Sequence, residues 1–327
     1  MLDIQEKTLK GFTFIDLFAG IGGFHYALSS LGAKCVFASE WDKAAQKVYF
    51  ENFGIVPAGD ITKIEASTIP SHDILCGGFP CQAFSISGNQ KGFDDVRGTL
   101  FFDIVRIASY HKPKILFLEN VKNLLKHDGG KTFSVIQSKL EGLGYRVFYK
   151  VLNSSNFGLP QHRERIYIVA FRNDIPKAEQ FRFPTENILS KLSDILEKKS
   201  DAKVVERNDI VIEKDFSCSN TLFGEMLPNK PIQIGKVNKG GQGERIYHPV
   251  GHAITLSAYG GGVGSKTGLY LIDGKVRKLS PRECARVQGF PDTFIMDKNQ
   301  NQAYKQFGNS VSINVLQEVS VEFSKVL

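Results

Sequence analysis

A cysteine in a tight turn is the first candidate for chemistry in this sequence. Cys81 belongs to residues 77–82, which also hold two glycines and Pro80, directly after an apolar run that ends at Cys76. The glycines permit a tight backbone, and Pro80 fixes φ just before the thiol. A free cysteine is most often a small buried hydrophobic residue, which is the interpretation we give to Cys76. The turn favours a nucleophile at Cys81.

A carboxylate and two arginines are the next candidates. Glu119 follows the apolar residues 115–118. Burial at a strand end would favour its protonated, hydrogen-bond-donating form. The structural alternative is a carboxylate that caps the next helix. Arg163 and Arg165 lead into another strand, where alternation puts both on one face. Two guanidinium groups there can bind a carbonyl, a phosphate or a carboxylate such as Glu119.

Four further features predict a nucleotide-like ligand. Residues 20–23 form a glycine-rich turn whose spacing differs from the GxGxxG of dinucleotide sites. Glu40 is placed to accept hydrogen bonds from a ribose, and Trp41 offers a stacking face for a purine. Asp60 can accept from an exocyclic amine, although either carboxylate could equally be a solvated strand end. Together they predict an adenosine pocket without a pyrophosphate site, which fits S-adenosylmethionine.

The elements that position these residues alternate between apolar and amphipathic stretches as far as about residue 172. Strands are predicted at 12–18, 35–38, 73–76, 114–119, 145–152 and 166–171, and helices near 24–31, 42–53, 100–110 and 132–140. This alternation predicts an α/β fold with a mostly parallel twisted sheet and helices on both faces. A capping box at Ser280 begins a short helix that ends at Gly289, and a C-terminal helix follows residue 310.

Length and composition are those of a soluble globular protein with a second, smaller domain. The chain has 327 residues, 42% of them hydrophobic and 23% charged. No run approaches the ~20 apolar residues of a membrane span, and the first residues do not resemble a signal peptide. We therefore expect a cytoplasmic protein that does not enter membranes. Its five cysteines include no CxxC pair, so we expect neither disulfides nor a metal.

Positive charge is concentrated in one segment. Residues 230–290 hold ten Lys or Arg against three acids, an excess of seven that equals the net charge of the whole chain. Two glycine-rich stretches, 239–245 and 259–264, lie in the same segment. They can be flexible linkers, or loops that lie close to a ligand backbone. The segment predicts a polyanion-binding face, although solvated lysines would give the same count. We assign no function to the polar stretch 186–229.

Six ordered motifs resemble those of the DNA (cytosine-5)-methyltransferases of restriction–modification systems. They occupy residues 16–23, 78–85, 119–121, 161–165, 282–291 and 308–311, and so span almost the whole chain. The resemblance implies a large Rossmann-like S-adenosylmethionine-dependent methyltransferase domain and a smaller, mainly β and loop target-recognition domain. We expect the catalytic domain at 1–193 and 305–327, and the recognition domain at 194–304 with a hinge near 280–304.

The resemblance also implies a mechanism. A cytosine is flipped out of duplex DNA, and Cys81 as thiolate adds to its carbon 6. Glu119 hydrogen-bonds ring nitrogen 3 and the exocyclic amine, while Arg165 contacts the carbonyl and Glu119, with Arg163 beside it. Carbon 5 then takes the methyl group of S-adenosylmethionine, loses its proton, and Cys81 is eliminated.

Further site residues follow from the same resemblance. The expected cofactor set is Phe18, Gly20, Gly23, Glu40, Trp41, Asp60, Ile61, Pro80, Leu100, Asn309 and Ser310. The expected DNA-binding set is Ser85, Ser87, Lys91, Arg97, Gln242, Gly243, Glu244, Arg245, Tyr259 and Gly260. Residues 85–98 would form a closing loop, Ser87 and Gln242 would fill the gap left by the flipped base, and Arg245 would read a guanine. The recognition loops resemble those of members that methylate the first cytosine of GCGC.

Three alternatives stay open. A cytosine-5 RNA methyltransferase would carry the same catalytic motifs, and a catalytically dead DNA-binding protein would keep the basic loops. A cysteine hydrolase would need a base, for which His162 is the candidate among the site motifs. We expect a monomer that acts on double-stranded DNA with no obligate protein partner.

Overall fold

The computed structural model describes residues 8–79, 100–185, 187–214, 220–221, 224–225 and 229–327. Six predicted site residues lie outside this range: Pro80, Cys81, Ser85, Ser87, Lys91 and Arg97. The chain packs as two compact units. The first comprises Met1–Leu152, Glu164–Pro184 and Leu316–Leu327, and the second comprises Asn153–Arg163 and Thr185–Val315. The functional division into catalytic and recognition domains is a different partition and stays a prediction.

The first unit is built on a six-stranded sheet. Its strands are β1 (Thr13–Leu17), β2 (Lys34–Ser39), β3 (Ile74–Gly78), β4 (Ile115–Val121), β5 (Tyr145–Asn153) and β6 (Glu164–Arg172), in the order β2-β1-β3-β4-β6-β5. The four strands from β2 to β4 are parallel, and β6 runs antiparallel to β4. The predicted α/β class with a mostly parallel sheet is confirmed.

The strand register brings the candidate site residues to one edge of this sheet. Leu17 at the end of β1 pairs with Ser39 on β2 and with Gly77 on β3. Gly78 in turn pairs with Glu119 on β4. The segments that follow β1, β2, β3 and β4 therefore all leave from the carboxyl edge. In open α/β sheets ligands bind at this edge where the strand order reverses, which here is between β1 and β3.

Helices α1 (Gly23–Ser30), α2 (Lys43–Phe53), α3 (Leu100–His111) and α4 (Lys131–Gly142) lie between these strands in the chain. Asp42 caps α2 by accepting from the backbone N–H groups of Ala44 and Ala45. Helix α3 buries Phe101, Ile104, Ile107 and Ala108, a spacing of three to four residues that gives one apolar face. Full burial of each large side chain stabilises the fold by about 1.5–3 kcal/mol. No helix in the described ranges is long and apolar enough to cross a membrane.

The second unit is mainly strand and loop, as the sequence predicts. It holds β7 (Val211–Ile212), β8 (Asn220–Thr221), β9 (Gly224–Glu225), β10 (Ile232–Lys236), β11 (Arg245–His248), β12 (Leu269–Ile272) and β13 (Lys275–Arg277), together with α5 (Pro281–Val287) and α6 (Gln300–Asn309). One sheet has the order β13-β12-β11-β10-β7, and β8 pairs with β9. The last helix, α7 (Ile313–Ser324), begins in this unit and ends in the first.

Helices α5 and α6 of the second unit both begin at a side-chain cap, but the sequence predicts only the first of them. Ser280 and Glu283 form the predicted capping box at the start of α5. Helix α6 is not predicted, because only one short apolar spacing marks it. Asn299 caps it by accepting from the N–H groups of Asn301 and Gln302. Its last residue is Asn309, within the motif that the sequence had placed before a helix.

Candidate active site

The turn after β1 has a backbone conformation that leaves room for a ligand to approach closely. Phe18 lies at φ 55°, in the left-handed region, where a residue with a side chain costs about 1–3 kcal/mol. Gly20, also at φ 55°, has no atom within 4 Å of the position that a Cβ would take. At Gly22 a Cβ would lie 2.2 Å from the ring of Phe53, so that glycine is needed for packing. The turn therefore leaves open space at Gly20 beside a strained Phe18, which suits a pocket wall.

Glu40 connects the ends of β1 and β2. Its Oε2 accepts from the N–H of Gly20 at 2.8 Å, and its Oε1 accepts from the N–H of Asp42 at 2.8 Å. Burial raises the pKa of Glu40, and these two backbone hydrogen bonds partly offset the effect. A carboxylate has about four acceptor positions, so acceptor capacity remains for a ribose hydroxyl. Trp41 next to it is 79% exposed, which leaves its indole available for stacking.

Asp60 and Ile61 lie in a segment that helix α3 fixes. Asp60 Oδ1 accepts from the N–H and the hydroxyl of Thr62, at 3.1 and 2.8 Å. These hydrogen bonds lower the pKa of Asp60. Arg106 donates to the carbonyls of Ile61 and Ile64, at 3.0 and 2.8 Å. Sequence reasoning missed Arg106, whose one signal was an acid three residues earlier. Leu100, the first residue of α3, is partly buried.

Glu119 and Arg165 meet on neighbouring antiparallel strands. Glu119 is 7% exposed, and its Oε1 lies 3.2 Å from Arg165 Nε in an ion pair. Arg165 also donates from Nη1 to the carbonyl of Glu164 at 2.8 Å. The Glu164 side chain instead bonds Lys122, with both oxygens 2.9 Å from Nζ. Strand alternation predicts that Glu164 and Arg165 lie on opposite faces of the sheet, and their side chains have different partners. The Glu119–Arg165 pair holds a carboxylate, which can hydrogen-bond a ring nitrogen and an exocyclic amine, beside a guanidinium, which can donate to a carbonyl.

Asn120 ties this pair to the cysteine turn, and sequence reasoning gave it no role. It is buried, and its Nδ2 donates to the carbonyl of Phe79 at 2.8 Å. Phe79 is the last described residue before Cys81. Cys76 is fully buried, and burial raises its pKa well above the usual value, so its thiol stays protonated and fits a packing role. Asn120 thus fixes the backbone at Phe79, where the chain leaves β3 toward Cys81.

In the second unit, Gln161 and Arg163 of the 161–165 motif hold the backbone just before the glycine-rich stretch 259–264. The N–H of Leu256 donates to Gln161 Oε1 at 3.0 Å, and its carbonyl accepts from Arg163 Nη1 at 3.3 Å. Arg163 Nη2 donates to the carbonyl of Ser310 at 2.6 Å. Both Gln161 and Arg163 are buried. Their contacts in this unit are structural, and Gln161 is a positioning residue that sequence reasoning missed. The catalytic role of Arg163 stays a prediction.

The glycine-rich stretches pack against each other. The N–H of Gly264 donates to the carbonyl of Gly243 at 2.7 Å. A Cβ on Gly243 would lie 2.4 Å from the carbonyl oxygen of Gly261. Gly308 likewise packs on the backbone of Ser257, since its Cβ would lie 2.3 Å from that residue's carbonyl carbon. Close packing against a neighbouring segment therefore requires glycine at both positions. The sequence alone did not indicate this cause.

The side chains predicted to read DNA differ in how available they are. Gln242 and Arg245 are exposed, and Tyr259 is 77% exposed. Glu244 is engaged within its own loop, since its carboxylate accepts from Asn238 Nδ2 at 2.8 Å and from the N–H of Gly241 at 2.9 Å. Arg245 Nε donates to the carbonyl of Gly240 at 3.4 Å, a long hydrogen bond within the same loop.

Two predicted cofactor residues end helix α6. Asn309 is its last residue, and Ser310 is the C-cap, whose N–H donates to the carbonyl of Phe307 at 3.3 Å. Ser310 is buried and Asn309 is exposed. In the described ranges no group of three or more His, Cys, Asp or Glu could hold a metal ion.

Known proteins match this chain over nearly its whole length. The family model for C-5 cytosine-specific DNA methylases matches residues 12–325. The type II methyltransferase M.HhaI of Haemophilus parahaemolyticus is 53% identical over 330 residues, which cover 100% of this chain and 98% of that protein. M.HpaII of Haemophilus parainfluenzae is 44% identical over 332 residues, which cover 96% and 88%. The resemblance predicted from the six motifs is confirmed.

Solved structures share the fold. The Dnmt2 methyltransferase of S. pombe gives a TM-score of 0.70 at 22% identity, over 97% of this chain and 98% of that one. A DNMT2 variant of Spodoptera frugiperda gives 0.72 at 19% identity, over 96% and 100%. At these identities the likeness concerns the fold alone.

Proposed function

We infer that this chain, which belongs to the C-5 cytosine-specific DNA methylase family, transfers a methyl group from S-adenosylmethionine to carbon 5 of a flipped-out cytosine in duplex DNA. The observation that carries the proposal is the buried ion pair of Glu119 and Arg165, 3.2 Å apart at the sheet edge from which the chain leaves toward Cys81. The target we propose is the first cytosine of GCGC. We further propose that the protein acts as a cytoplasmic monomer and protects DNA from a cognate endonuclease.

The residues at the carboxyl edge fit the cofactor. S-adenosylmethionine, when bound, supplies a methyl group on a positively charged sulfur. Glu40 keeps acceptor positions for the ribose, Trp41 presents an exposed ring, and the open space at Gly20 lets a ligand approach the backbone. Asp60 has one carboxylate oxygen outside its hydrogen bonds to Thr62. This edge lacks the GxGxxG turn of a pyrophosphate site, which agrees with a sulfonium cofactor.

The chemistry assigned to the chain is nucleophilic. Flipping the base costs a few kcal/mol and brings its ring face to the thiol. The sulfur of Cys81 forms a bond to carbon 6, and Glu119 hydrogen-bonds ring nitrogen 3 so that charge does not accumulate on the ring. Carbon 5 becomes the nucleophile and takes the methyl group, whose bond to the sulfonium sulfur would break so that S-adenosyl-L-homocysteine would leave. Loss of the proton on carbon 5 then breaks the bond to Cys81 and restores the base.

Arg165 has two tasks in this proposal. Its guanidinium orients Glu119 through the ion pair, and its remaining donors are assigned to the cytosine carbonyl. Positive charge near Cys81 also lowers the pKa of a thiol and raises its thiolate fraction. Lysine would supply charge without the planar fork, so arginine is required at this position.

Covalent trapping tests the mechanism. A duplex with 5-fluorocytosine at the first cytosine of GCGC presents a base whose carbon 5 has no proton to lose after methylation. The expected product is a stable protein–DNA complex that needs S-adenosylmethionine and is absent with Cys81→Ser. The matched control is Cys76→Ser, which removes a buried thiol and should still trap. Failure of the intact protein to trap on any duplex that carries 5-fluorocytosine would overturn the proposal.

A second assay tests the substrate. Methyl transfer is measured to duplexes with GCGC, to duplexes with one changed base in that site, and to RNA of the same sequence. We expect transfer to the first duplex alone. Equal transfer to changed sites would remove the GCGC assignment but keep the chemistry, whereas preferential transfer to RNA would replace the DNA substrate.

A further inference from the structure

Two histidines outside the six motifs lie close together in the first unit. His72 precedes β3 by two residues, and His111 is the last residue of α3. Their ring centroids are 4.9 Å apart, and the ring planes are inclined by 49°. Because α3 leads back to the start of β4, which runs parallel to β3, both histidines lie at the amino edge of the sheet. The candidate active site occupies the opposite edge.

Each of the two imidazoles donates one ring N–H to a backbone carbonyl. His72 Nδ1 lies 2.8 Å from the carbonyl oxygen of Pro70, and His111 Nε2 lies 2.8 Å from that of Ala66. Because a carbonyl oxygen only accepts, these two nitrogens carry the protons. In the neutral imidazoles the lone pairs are then on His72 Nε2 and His111 Nδ1. Metal-ligating histidines are fixed in the same way, by donation of the other ring N–H to a carbonyl.

The free ring nitrogen of His72 is the second observation that points to a ligand. His72 is 6% exposed, and its Nε2 is buried without a hydrogen-bond partner among the described residues. Buried polar atoms are nearly always paired, so this acceptor calls for a group that takes its lone pair. His111 is only partly buried, which gives such a ligand access from solvent.

The separation of the rings fits one shared ion. Zn–N bonds of about 2.0–2.1 Å place each ring centroid about 3 Å from the ion, so two imidazoles at a near-tetrahedral angle have centroids about 5 Å apart. Imidazole nitrogen suits Zn²⁺, Cu²⁺ and Ni²⁺, whereas Mg²⁺ and Ca²⁺ prefer oxygen ligands. Two protein ligands are fewer than the three of catalytic zinc sites, so water completes the coordination.

We propose that His72 and His111 together bind a transition-metal ion of the Zn²⁺ class at the amino edge of the sheet. The ion joins the end of α3 to the chain that enters β3, and it stabilises the first unit because it binds the folded protein. It takes no part in methyl transfer, which is assigned to the opposite edge. The inference therefore does not depend on the proposed function.

Zinc titration tests the site. The full chain is freed of metal with EDTA and dialysed, and calorimetry measures Zn²⁺ affinity for wild type, His72→Gln and His111→Gln. Loss of even an outer-shell partner typically weakens metal binding 10–100-fold, so loss of either ligand should weaken it at least about tenfold. His127→Gln is the matched control, because His127 is a partly buried histidine of the same unit whose Nδ1 bonds the hydroxyl of Thr132. It should bind Zn²⁺ as wild type does, and so should Cys81→Ser, which removes the thiol as a competing ligand.

Spectroscopy identifies the ligands in a protein whose histidines are intact. Cu²⁺ replaces Zn²⁺ in Cys81→Ser, where that thiol cannot be oxidised, and electron paramagnetic resonance should show coupling to two imidazole nitrogens. Adding His111→Gln should reduce this to one. Thermal unfolding of wild type should shift upward with Zn²⁺, and the shift should be lost in His111→Gln, whose metal-free unfolding shows whether the variant is folded.

Three results would overturn the site: equal Zn²⁺ affinity in wild type and both ligand variants, an equal loss in His127→Gln, or a copper spectrum with fewer than two imidazoles. The first of these would assign the two lone pairs to a water molecule that donates to both nitrogens. Methyl transfer is measured in parallel with EDTA present. Its absence would overturn the proposed function and leave the metal site standing.

Discussion

Replacing Gly243 by alanine tests the contact between the glycine-rich stretches 239–245 and 259–264, which are the two proposed recognition loops. Gly243 has φ 81°, where an alanine costs about 1–2 kcal/mol. The new Cβ would lie 2.4 Å from the carbonyl oxygen of Gly261, so one loop must move. That movement breaks the 2.7 Å hydrogen bond from Gly264 to Gly243, which contributes about 0.5–1.5 kcal/mol. The loops should separate at a cost of about 2–3 kcal/mol, because these costs fall on the same contact.

Target discrimination is the property that should change. The assay compares kcat/KM for a GCGC duplex with that for a duplex carrying one changed base. A misplaced loop loses base contacts, and a loss of about 2 kcal/mol corresponds to about thirtyfold in discrimination. Gly261→Ala is the matched control, since its Cβ would meet no atom within 4 Å and its backbone is not left-handed. It should keep discrimination within about threefold of wild type.

Two outcomes would refute the reasoning about Gly243. One is a Gly243→Ala protein with wild-type discrimination and unchanged thermal unfolding, which would show that the loops tolerate separation. The other is an equal loss in Gly261→Ala, which would show that any added methyl group on these loops obstructs DNA. In either case contact between the loops would not set specificity.

Three other perturbations have expected outcomes. Arg165→Lys should lower kcat about tenfold or more, because it loses the planar contact to the base, and Arg165→Ala should lower it further; single-turnover kinetics would measure both, and an unchanged rate in Arg165→Lys would contradict the assigned role. Glu40→Gln should weaken S-adenosylmethionine binding about tenfold by calorimetry, with exposed Glu51→Gln as the control that must not. Burial lowers the pKa of His25 and of His72 to about 4 each, so only the unfolded chain binds these protons between pH 6.5 and 4. The free energy of unfolding should therefore decrease as the pH is lowered, by about 2 kcal/mol per histidine at pH 5 relative to pH 7.5. In thermal unfolding, His72→Gln should lose less stability than wild type over this range. An unchanged pH dependence in His72→Gln would contradict the assignment.

Local patterns were enough to predict the elements of the first unit. The alternation of apolar runs with helices depends on residues close in sequence, so β1 and α3 could be predicted, and so could the capping box at Ser280 in the second unit. The contact of Arg165 with Glu119 was also anticipated, because a carboxylate such as Glu119 was one of three partners open to the two arginines and the family resemblance assigned it to Arg165. Helix α6 was missed, since its composition is polar and only Ala303 and Phe307 mark its buried face as apolar.

The sequence by itself determined the chemistry available to this protein: a thiol, a carboxylate, two arginines and a basic segment, in an order that identifies the family. Only the tertiary structure decided which of these groups serve each other. It placed Arg163 on the carbonyls of Leu256 and Ser310, and it showed that Gly243 is needed for contact with the other recognition loop. The physical reason is that these contacts join residues tens of positions apart, and their distances depend on packing that no local pattern encodes.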